Sequence, residues 1–311
     1  MLQCTFPGCP LSFNDSGDLR LHQRTHTDGD ASSWSTDISS STGRIVTPVS
    51  NDSNRPIVFV GPFEHHSNLL PWREADVDFV QIGVAKDGSL DQNELRTRLQ
   101  QFKSRCVCEV SLISSPLRIV SLNRVSNVTG LITPMSPINC LVHEEGALIC
   151  WDCATAGSHE APLMNNTTVN PLDYCDACFF SPHKMVGGVG SPGLLLVKKK
   201  LLLNEVPSIP GGGTIFYVSE GLHRYTQVLT EREEGGTPNI IGAIRCGLTL
   251  HLHNHLGWDW IRQREQEYYQ QTMEVLRQHP NIVILGDDTD CPKASVFSIL
   301  IKHNGYELDL E

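Results

Sequence analysis

The sequence lacks an apolar run long enough to cross a membrane. Its longest apolar stretch, residues 193–203, is interrupted by three consecutive lysines, whereas a transmembrane helix needs roughly 20 apolar residues. The first residues also lack the basic flank and apolar core of a secretory leader. We therefore expect an intracellular protein with no membrane partner, and the sequence does not distinguish nucleus from cytoplasm.

Charge and cysteine usage narrow the possible classes further. Only 19% of residues are charged and the net charge is −11, so bulk attraction for nucleic acid is excluded. The 11 cysteines are an odd number scattered over 311 residues, which favours a reducing compartment over a disulfide framework. With 40% hydrophobic residues, the chain is long enough for about two globular domains.

The N-terminal segment carries two cysteines and two histidines at the spacing of a zinc site. The four candidate ligands are Cys4, Cys9, His22 and His26. This spacing lets a hairpin and one helix face enclose a tetrahedral Zn²⁺, and Phe13 and Leu19 supply a small apolar core. Residues 1–27 therefore resemble a ββα zinc finger of the C2H2 type, which implies zinc binding.

The helix of this finger is poorly suited to reading DNA. The positions that contact base edges in the resembled family correspond to Asp15, Asp18 and Leu21, none of which can make the bidentate arginine–guanine contact. Residues 1–30 contain two arginines against four aspartates. We expect the finger to contact a protein, or nucleic acid only weakly.

Residues 28–54 are rich in serine and are predicted to form a flexible linker. The remainder, residues 55–311, alternates strand-like apolar runs with helical patterns, which predicts an α/β domain. The predicted strands and helices include strands at 57–60, 79–84, 282–285 and 295–301, a helix starting in a capping box of Ser89 and Gln92 and continuing through Leu95, Leu99 and Phe102, and a helix at 258–278.

Two predicted strands deliver chemically active side chains at their carboxyl ends. Residues 147–152 form a buried run ending in Asp152, and residues 177–184 end with Ser181, His183 and Lys184. Open α/β sheets bind ligands at these ends. A lysine desolvated there can form a Schiff base, and a nearby aspartate can pair with a pyridinium nitrogen. These are the two main requirements of pyridoxal 5'-phosphate (PLP) chemistry.

Five ordered motifs give residues 56–305 a family resemblance. They are Glu64-His65-His66-Ser67-Asn68-Leu69-Leu70-Pro71-Trp72, Ser126-Asn127-Val128-Thr129-Gly130, Asp152-Cys153-Ala154, Ser181-Pro182-His183-Lys184 and Arg232-Glu233-Glu234-Gly235-Gly236-Thr237-Pro238. In this order they resemble class V aminotransferases and cysteine desulfurases. The resemblance implies the central part of a fold-type I PLP domain, with a mostly parallel sheet and flanking helices.

The resemblance also implies roles for individual residues. Lys184 is the expected Schiff-base lysine, Asp152 is expected to hold the cofactor's ring nitrogen protonated, and His65 is expected to stack on the ring. Lys184 and His65 are thus the implied catalytic residues, and Asp152 is an implied cofactor-binding residue.

Five further residues are implied as cofactor ligands. Asn127 and Thr155 are expected near the ring 3-oxygen, and Ser181 and His183 at the phosphate. Thr237 is expected to reach the phosphate of a neighbouring subunit, which implies a homodimer through the PLP domain.

The sequence thus supports two hypotheses for function. The first is a PLP-dependent transferase or lyase that acts on an amino acid through a Lys184 Schiff base. The alternative is a zinc-binding interaction or weak nucleic-acid-binding protein whose incomplete PLP domain is catalytically inert. The family's phosphate-binding loop, its substrate-carboxylate arginine and the desulfurases' catalytic-cysteine loop are expected to lie outside the chain.

Two other patterns suggest metal sites but have simpler explanations. Two Cys-x2-Cys pairs, at 150–153 and 175–178, lie on or beside predicted strands, which favours core packing over a four-cysteine zinc site. The run His251-x-His253-x-His255 lies in a helical pattern and is expected to face solvent.

Overall fold

The computed structural model describes residues 55–103, 117–161, 163–287, 291–303 and 306–307, together with two short strands at 2–3 and 12–13. The chain divides into two compact units, Met1–Ile45 and Val46–Glu311. In the first unit, Leu2 pairs with Phe13 in an antiparallel ladder. The predicted linker lies outside the described residues.

The second unit is built around a six-stranded sheet with short accessory sheets. The strands of the chain are β1 (Leu2–Gln3), β2 (Ser12–Phe13), β3 (Ile57–Val60), β4 (Asp78–Gln81), β5 (Arg118–Asn123), β6 (Leu148–Asp152), β7 (Ala177–Phe180), β8 (Leu194–Val197), β9 (Ile215–Val218), β10 (His223–Tyr225), β11 (Ile282–Ile284), β12 (Ile299–His303) and β13 (Tyr306–Glu307). The helices are α1 (His66–Glu74), α2 (Gln92–Gln101), α3 (Met135–Glu144), α4 (Leu229–Glu233), α5 (Ile240–Leu256) and α6 (Trp258–Gln278).

The large sheet has the order β4-β3-β5-β6-β7-β8. All its neighbouring strands run parallel except β7 and β8, which are antiparallel. The four residues of β3 are fully buried, as expected for a parallel strand covered on both faces. The predicted α/β class with a mostly parallel sheet is confirmed.

Strand register places the predicted site residues at one edge of the sheet. Asn123 at the end of β5 lies opposite Asp152 at the end of β6, and Asp152 lies opposite Phe179 near the end of β7. Because parallel strands end at the same edge, the loops that follow β5, β6 and β7 meet there. This edge carries the candidate site.

Helix α2 confirms the predicted helix but corrects its start. The N-cap is Asp91, whose carboxylate accepts hydrogen bonds from the backbone N–H groups of Asn93 and Glu94. Ser89 instead donates its hydroxyl to Asp87 within the preceding turn, 2.7 Å away. Leu95 and Leu99 are fully buried, so the predicted apolar face packs into the core.

The other predicted elements match with adjusted ends. Helix α6 has the predicted bounds, whereas β4 ends at Gln81 and the strand predicted for 295–301 begins only at Ile299. The short sheets are β9 with β10, and β11-β12-β13. Within the described ranges, no helix has the length and apolarity that crossing a bilayer would require.

Candidate active site

A cavity of about 330 Å³ lies where the loops after β5, β6 and β7 meet. It is lined by His65, Ser67, Asn123, Val125, Asn127, Asp152, Ala154, Thr155, Phe179, Ser181, His183 and Lys184. The structure therefore brings together every residue predicted for the main-domain site except Thr237. Its volume lies at the lower end of the range for small-molecule sites.

Asp152 ends β6 and its side chain is buried at the cavity wall. Its Oδ1 accepts a hydrogen bond from the backbone N–H of Ala154 at 2.9 Å. Among the residues described, none donates a hydrogen bond to the other oxygen, Oδ2. Burial raises the pKa of Asp152, and this effect is opposed by the Ala154 hydrogen bond and the charges of Lys184 and His65. A cationic N–H group in the cavity would therefore find a desolvated carboxylate acceptor.

Lys184 lies in a short 3-10 helix, Pro182–Lys184, directly after β7. The turn is closed by a hydrogen bond from the Lys184 backbone N–H to the Ser181 carbonyl at 2.9 Å. Gly188 packs against this turn. A β-carbon at position 188 would lie only 1.9 Å from the Pro182 carbonyl oxygen. Position 188 therefore has no room for a side chain.

The expected desolvation of Lys184 is not supplied by the described part of this chain. The lysine and its neighbour His183 both line the cavity, and both are exposed. Its exposure leaves room for a ligand, or for another subunit, to cover it.

His65 is the N-cap of α1, with its Nδ1 accepting a hydrogen bond from the Ser67 backbone N–H at 3.1 Å. The imidazole lies 3.9 Å from that of His66, measured between ring centroids. The cap fixes where the His65 ring enters the cavity.

Asn127 and Thr155 both line the cavity from loops. Asn127 lies in a turn in which the Ser126 hydroxyl accepts hydrogen bonds from the N–H groups of Val128 and Thr129. Thr155 precedes a short 3-10 helix after β6. Both residues thus lie at the site that the motifs indicated.

Thr237 lies elsewhere. It is exposed and does not line the cavity of its own chain. Its loop is held by a hydrogen bond from the Gly236 N–H to the Gly212 carbonyl at 2.6 Å.

The sequence motifs did not indicate Asn123, Ser67 or Glu64 as site residues. Asn123 and Ser67 line the cavity, and Glu64 lies directly behind it. Asn123 could have been found as the polar residue that ends a buried strand next to Asp152. Glu64 is the first residue of the motif at 64–72, but the resemblance implied no role for it.

The predicted zinc ligands lie outside the described residues, so the finger stays a prediction. Within the described ranges, no group of three or more His, Cys, Asp or Glu side chains is arranged to hold a metal ion. Three of the four paired cysteines, Cys153, Cys175 and Cys178, belong to the hydrophobic core as expected. Burial raises the pKa of the Cys150 and Cys175 thiols to about 12.

The histidine run on α5 departs from its prediction at one position. His251 and His255 are exposed, but His253 is buried and its ring contacts Trp258, with centroids 5.4 Å apart. Its Nδ1 lies 3.0 Å from the Thr249 carbonyl oxygen. The sharp turn between α5 and α6 brings Trp258 back over this histidine, which the helical pattern alone did not reveal.

The candidate site thus combines a buried aspartate and a lysine, which follow neighbouring strands of a mostly parallel α/β sheet. The sequence pattern of the family described as aminotransferase class-V matches residues 52–309. The chain therefore belongs to the class V aminotransferase family.

Curated relatives share this region. A probable cysteine desulfurase of Halalkalibacterium halodurans is 32% identical over 234 residues, which cover 74% of this chain and 52% of the relative. A cysteine desulfurase of Shigella sonnei is 30% identical over 259 residues, covering 81% of this chain and 57% of the relative. The chain thus spans little more than half the length of these relatives.

Solved structures show the same fold. The apo cysteine desulfurase of Thermococcus onnurineus NA1 superposes with a TM-score of 0.60 at 24% identity, covering 81% of this chain and 58% of that one. The cysteine desulfurase CsdA of Escherichia coli superposes with a TM-score of 0.59 at 24% identity. The match covers 79% of this chain and 56% of that one. At this identity the likeness supports the fold alone.

Proposed function

We propose that this protein is a PLP-dependent transferase or lyase that acts on an amino acid through Lys184. The observation that carries this proposal is the placement of Asp152 and Lys184 at one cavity, with an Asp152 oxygen that accepts no hydrogen bond from the described residues. The relatives named cysteine desulfurase favour cysteine as the substrate to test first.

The residues of the cavity fit this cofactor in chemical type. Asp152 would pair with the ring nitrogen, His65 would stack on the ring and Asn127 and Thr155 would lie near the 3-oxygen. Ser181 and His183 offer a hydroxyl and an imidazole to the phosphate. When bound, PLP supplies an electron sink for the substrate's α-carbon.

The chain's own contribution is binding, orientation and proton transfer. The buried Asp152 carboxylate would stabilise positive charge on the bound group, and the exposed Lys184 amine would hold it and would hold or move a proton. Helix α1 and the turn after β7 fix the backbone at His65 and Lys184. These groups approach the ligand from different elements, so the ligand is oriented between them.

A homodimer through the PLP domain is part of the proposal. Large apolar side chains are exposed along α5 and around the β9–β10 hairpin, an amount unusual for a free surface. They include Phe216, Val218, Leu222, Ile240, Ile241, Ile244 and Leu248. Thr237 lies exposed just before α5. A second copy packed on this surface would bury it, bring Thr237 to the neighbouring cavity and cover the exposed Lys184.

The test is cofactor capture by the purified full chain. We expect added PLP to give a visible absorbance band that survives removal of free cofactor and is lost in Lys184→Ala. The exposed Lys199→Ala variant is the matched control and should keep the band. If the wild type shows no band, or if Lys184→Ala keeps it, the proposal fails.

The reaction class is tested separately. The loaded protein is incubated with cysteine and a thiol reductant, and alanine and sulfide are measured. Formation of both in equal amounts, dependent on Lys184, supports carbon–sulfur cleavage. Pyruvate or an amino group transferred to an added 2-oxo acid would instead support a lyase or transferase of another kind.

A further inference from the structure

Glu64 lies behind the candidate cavity and joins three separate elements. Its Oε1 accepts a hydrogen bond from the backbone N–H of Asn123 at 2.9 Å, and its Oε2 accepts one from Asn68 Nδ2 at 2.6 Å. The backbone of Gly61 donates a third hydrogen bond. The carboxyl group thus links the loop after β3, the end of β5 and helix α1.

The partners of Asn68 determine which of its atoms faces Glu64. The buried Asn68 Oδ1 accepts hydrogen bonds from the Ser121 hydroxyl at 2.7 Å and from Trp72 Nε1 at 3.4 Å. Since this oxygen is engaged, the amide NH₂ must point at Glu64. Both Glu64 oxygens therefore face hydrogen-bond donors. A carboxylate can accept from both donors, whereas a carboxamide would place its own NH₂ against one of them.

The elements that Glu64 joins carry residues of the cavity. His65 follows it directly and caps α1, and Asn123 lies opposite Asp152 in the strand register. The Asn123 side-chain amide also donates to the Phe63 carbonyl, on the other side of Glu64. A shift of the Glu64 carboxyl would therefore displace two groups that line the cavity.

We propose that Glu64 is a positioning residue of this site, which holds His65 and Asn123 against the cavity and sets the charge behind Asp152. The proposal rests on the proposed function, because it is the cofactor that would use these groups. Glycine at position 61 leaves room for the Glu64 carboxyl group, since a β-carbon there would lie 2.6 Å from Glu64 Oε1.

The electrostatic surroundings make the charge of Glu64 sensitive to pH. Burial, and to a lesser extent the negative charge of Asp152, raise the pKa of Glu64 to about 7, although hydrogen bonds from Asn123, Asn68 and Gly61 oppose the rise. Asp152 in turn interacts with Lys184 and His65 across the cavity. Above this pKa Glu64 adds a negative charge near Asp152, and below it that charge is absent.

The first experiment uses the cofactor-free protein, so that its outcome does not depend on the proposed function. Side-chain carboxyl signals of ¹³C-labelled glutamate are followed by NMR against pH, and Glu64 is assigned from the signal that Glu64→Gln removes. A midpoint near 7 supports the proposal. A midpoint near 4.5, the ordinary value for glutamate, overturns the electrostatic part.

The second experiment measures PLP affinity and the His65 ring signals in variants. We expect Glu64→Gln and Gly61→Ala to weaken PLP binding about tenfold, as loss of about 1.4 kcal/mol would, and to shift the His65 signals. The exposed Glu274→Gln is the matched control and should change neither. Gly61→Ala keeps the carboxylate but displaces it, so it remains informative if Glu64→Gln fails to fold.

Unchanged PLP affinity with unchanged His65 signals in folded Glu64→Gln and Gly61→Ala overturns the positioning role. A Glu64→Gln effect on affinity that is constant from pH 5 to pH 9 overturns the role of the charge, because a pH-independent loss would reflect structure alone. Failure of the proposed function has a different signature, since then the wild type itself has no Lys184-dependent band while the NMR midpoint stays near 7.

Discussion

Lys184 and Asp152 illustrate how single residues acquire different roles at adjoining strand ends. Asp152 is the last residue of a largely buried strand. Its carboxylate is therefore desolvated, which raises its pKa. Lys184 comes after the neighbouring strand on a turn and is exposed. The acid is therefore fixed by the core, while the amine is free to reach a ligand.

Glu64 should also make the stability of the fold depend on pH. Its folded pKa of about 7 lies above the ordinary 4.5, so folding favours its protonated form. That contribution is complete below about pH 4.5 and is lost as pH rises through about 7. We expect the free energy of unfolding of the wild type to fall across this window by up to about 3 kcal/mol relative to Glu64→Gln.

Urea unfolding of the cofactor-free proteins at several pH values checks this expectation. The difference between wild type and Glu64→Gln should change between pH 4.5 and pH 7, whereas Glu274→Gln should follow the wild type. Parallel curves for wild type and Glu64→Gln would contradict the prediction.

At the level of elements, the start of helix α2 shows what local sequence leaves undecided. Ser89 and Asp91 both suit an N-cap, and the structure uses Asp91, which accepts hydrogen bonds from two helical N–H groups. We expect Asp91→Ala to lower the free energy of unfolding by about 1 kcal/mol, because it leaves those two donors without a protein partner. Ser89→Ala, the matched control, should change it by less than about 0.5 kcal/mol.

Chemical unfolding of both variants at one pH gives the comparison. Equal losses for Asp91→Ala and Ser89→Ala, or a larger loss for the serine variant, would show that the cap has been assigned to the wrong residue.

Some elements and site residues could be predicted from sequence because their signals are local. The apolar run before Asp152 and the spacing along α6 each lie within one segment, and both elements formed as expected. Glu64 could not be given its role, since its three donors come from segments 61, 68 and 123 that only the fold brings together. The burial of His253 likewise depends on the turn that places Trp258 over it.

Helix α5 connects the candidate site with the exposed apolar surface. Arg245 of α5 donates to the Val189 carbonyl at 2.5 Å, in the loop that follows Lys184. The Thr249 hydroxyl of α5 lies beside Gly187 of the same loop. The side chains of Ile244 and Leu248 are exposed. A partner bound to the exposed side of α5 would therefore also press on the element that supports the lysine loop.

At the scale of the whole molecule, the exposed surface predicts the assembly state. We expect the wild type to be a dimer in sedimentation velocity and Ile244→Glu to be a monomer, because a carboxylate at the centre of an apolar interface would be buried without a partner. Val275→Glu, an exposed apolar position on α6, is the control and should stay dimeric.

The dimer prediction has a clear opposite result. A wild type that sediments as a monomer at concentrations up to those of the spectroscopic tests would contradict it. In that case the cofactor phosphate would have to be held without a partner's Thr237.

The strand order of the large sheet affects how the protein folds during synthesis. Strand β3 lies between β4 and β5, and β5 is separated from it in sequence by all of α1, β4 and α2. During synthesis β3 therefore leaves the ribosome before β5, and one of its edges stays open until β5 has been made. Pairing between distant segments is slow, and an open apolar edge invites aggregation. Recombinant production should accordingly benefit from slow translation at low temperature and from added chaperones.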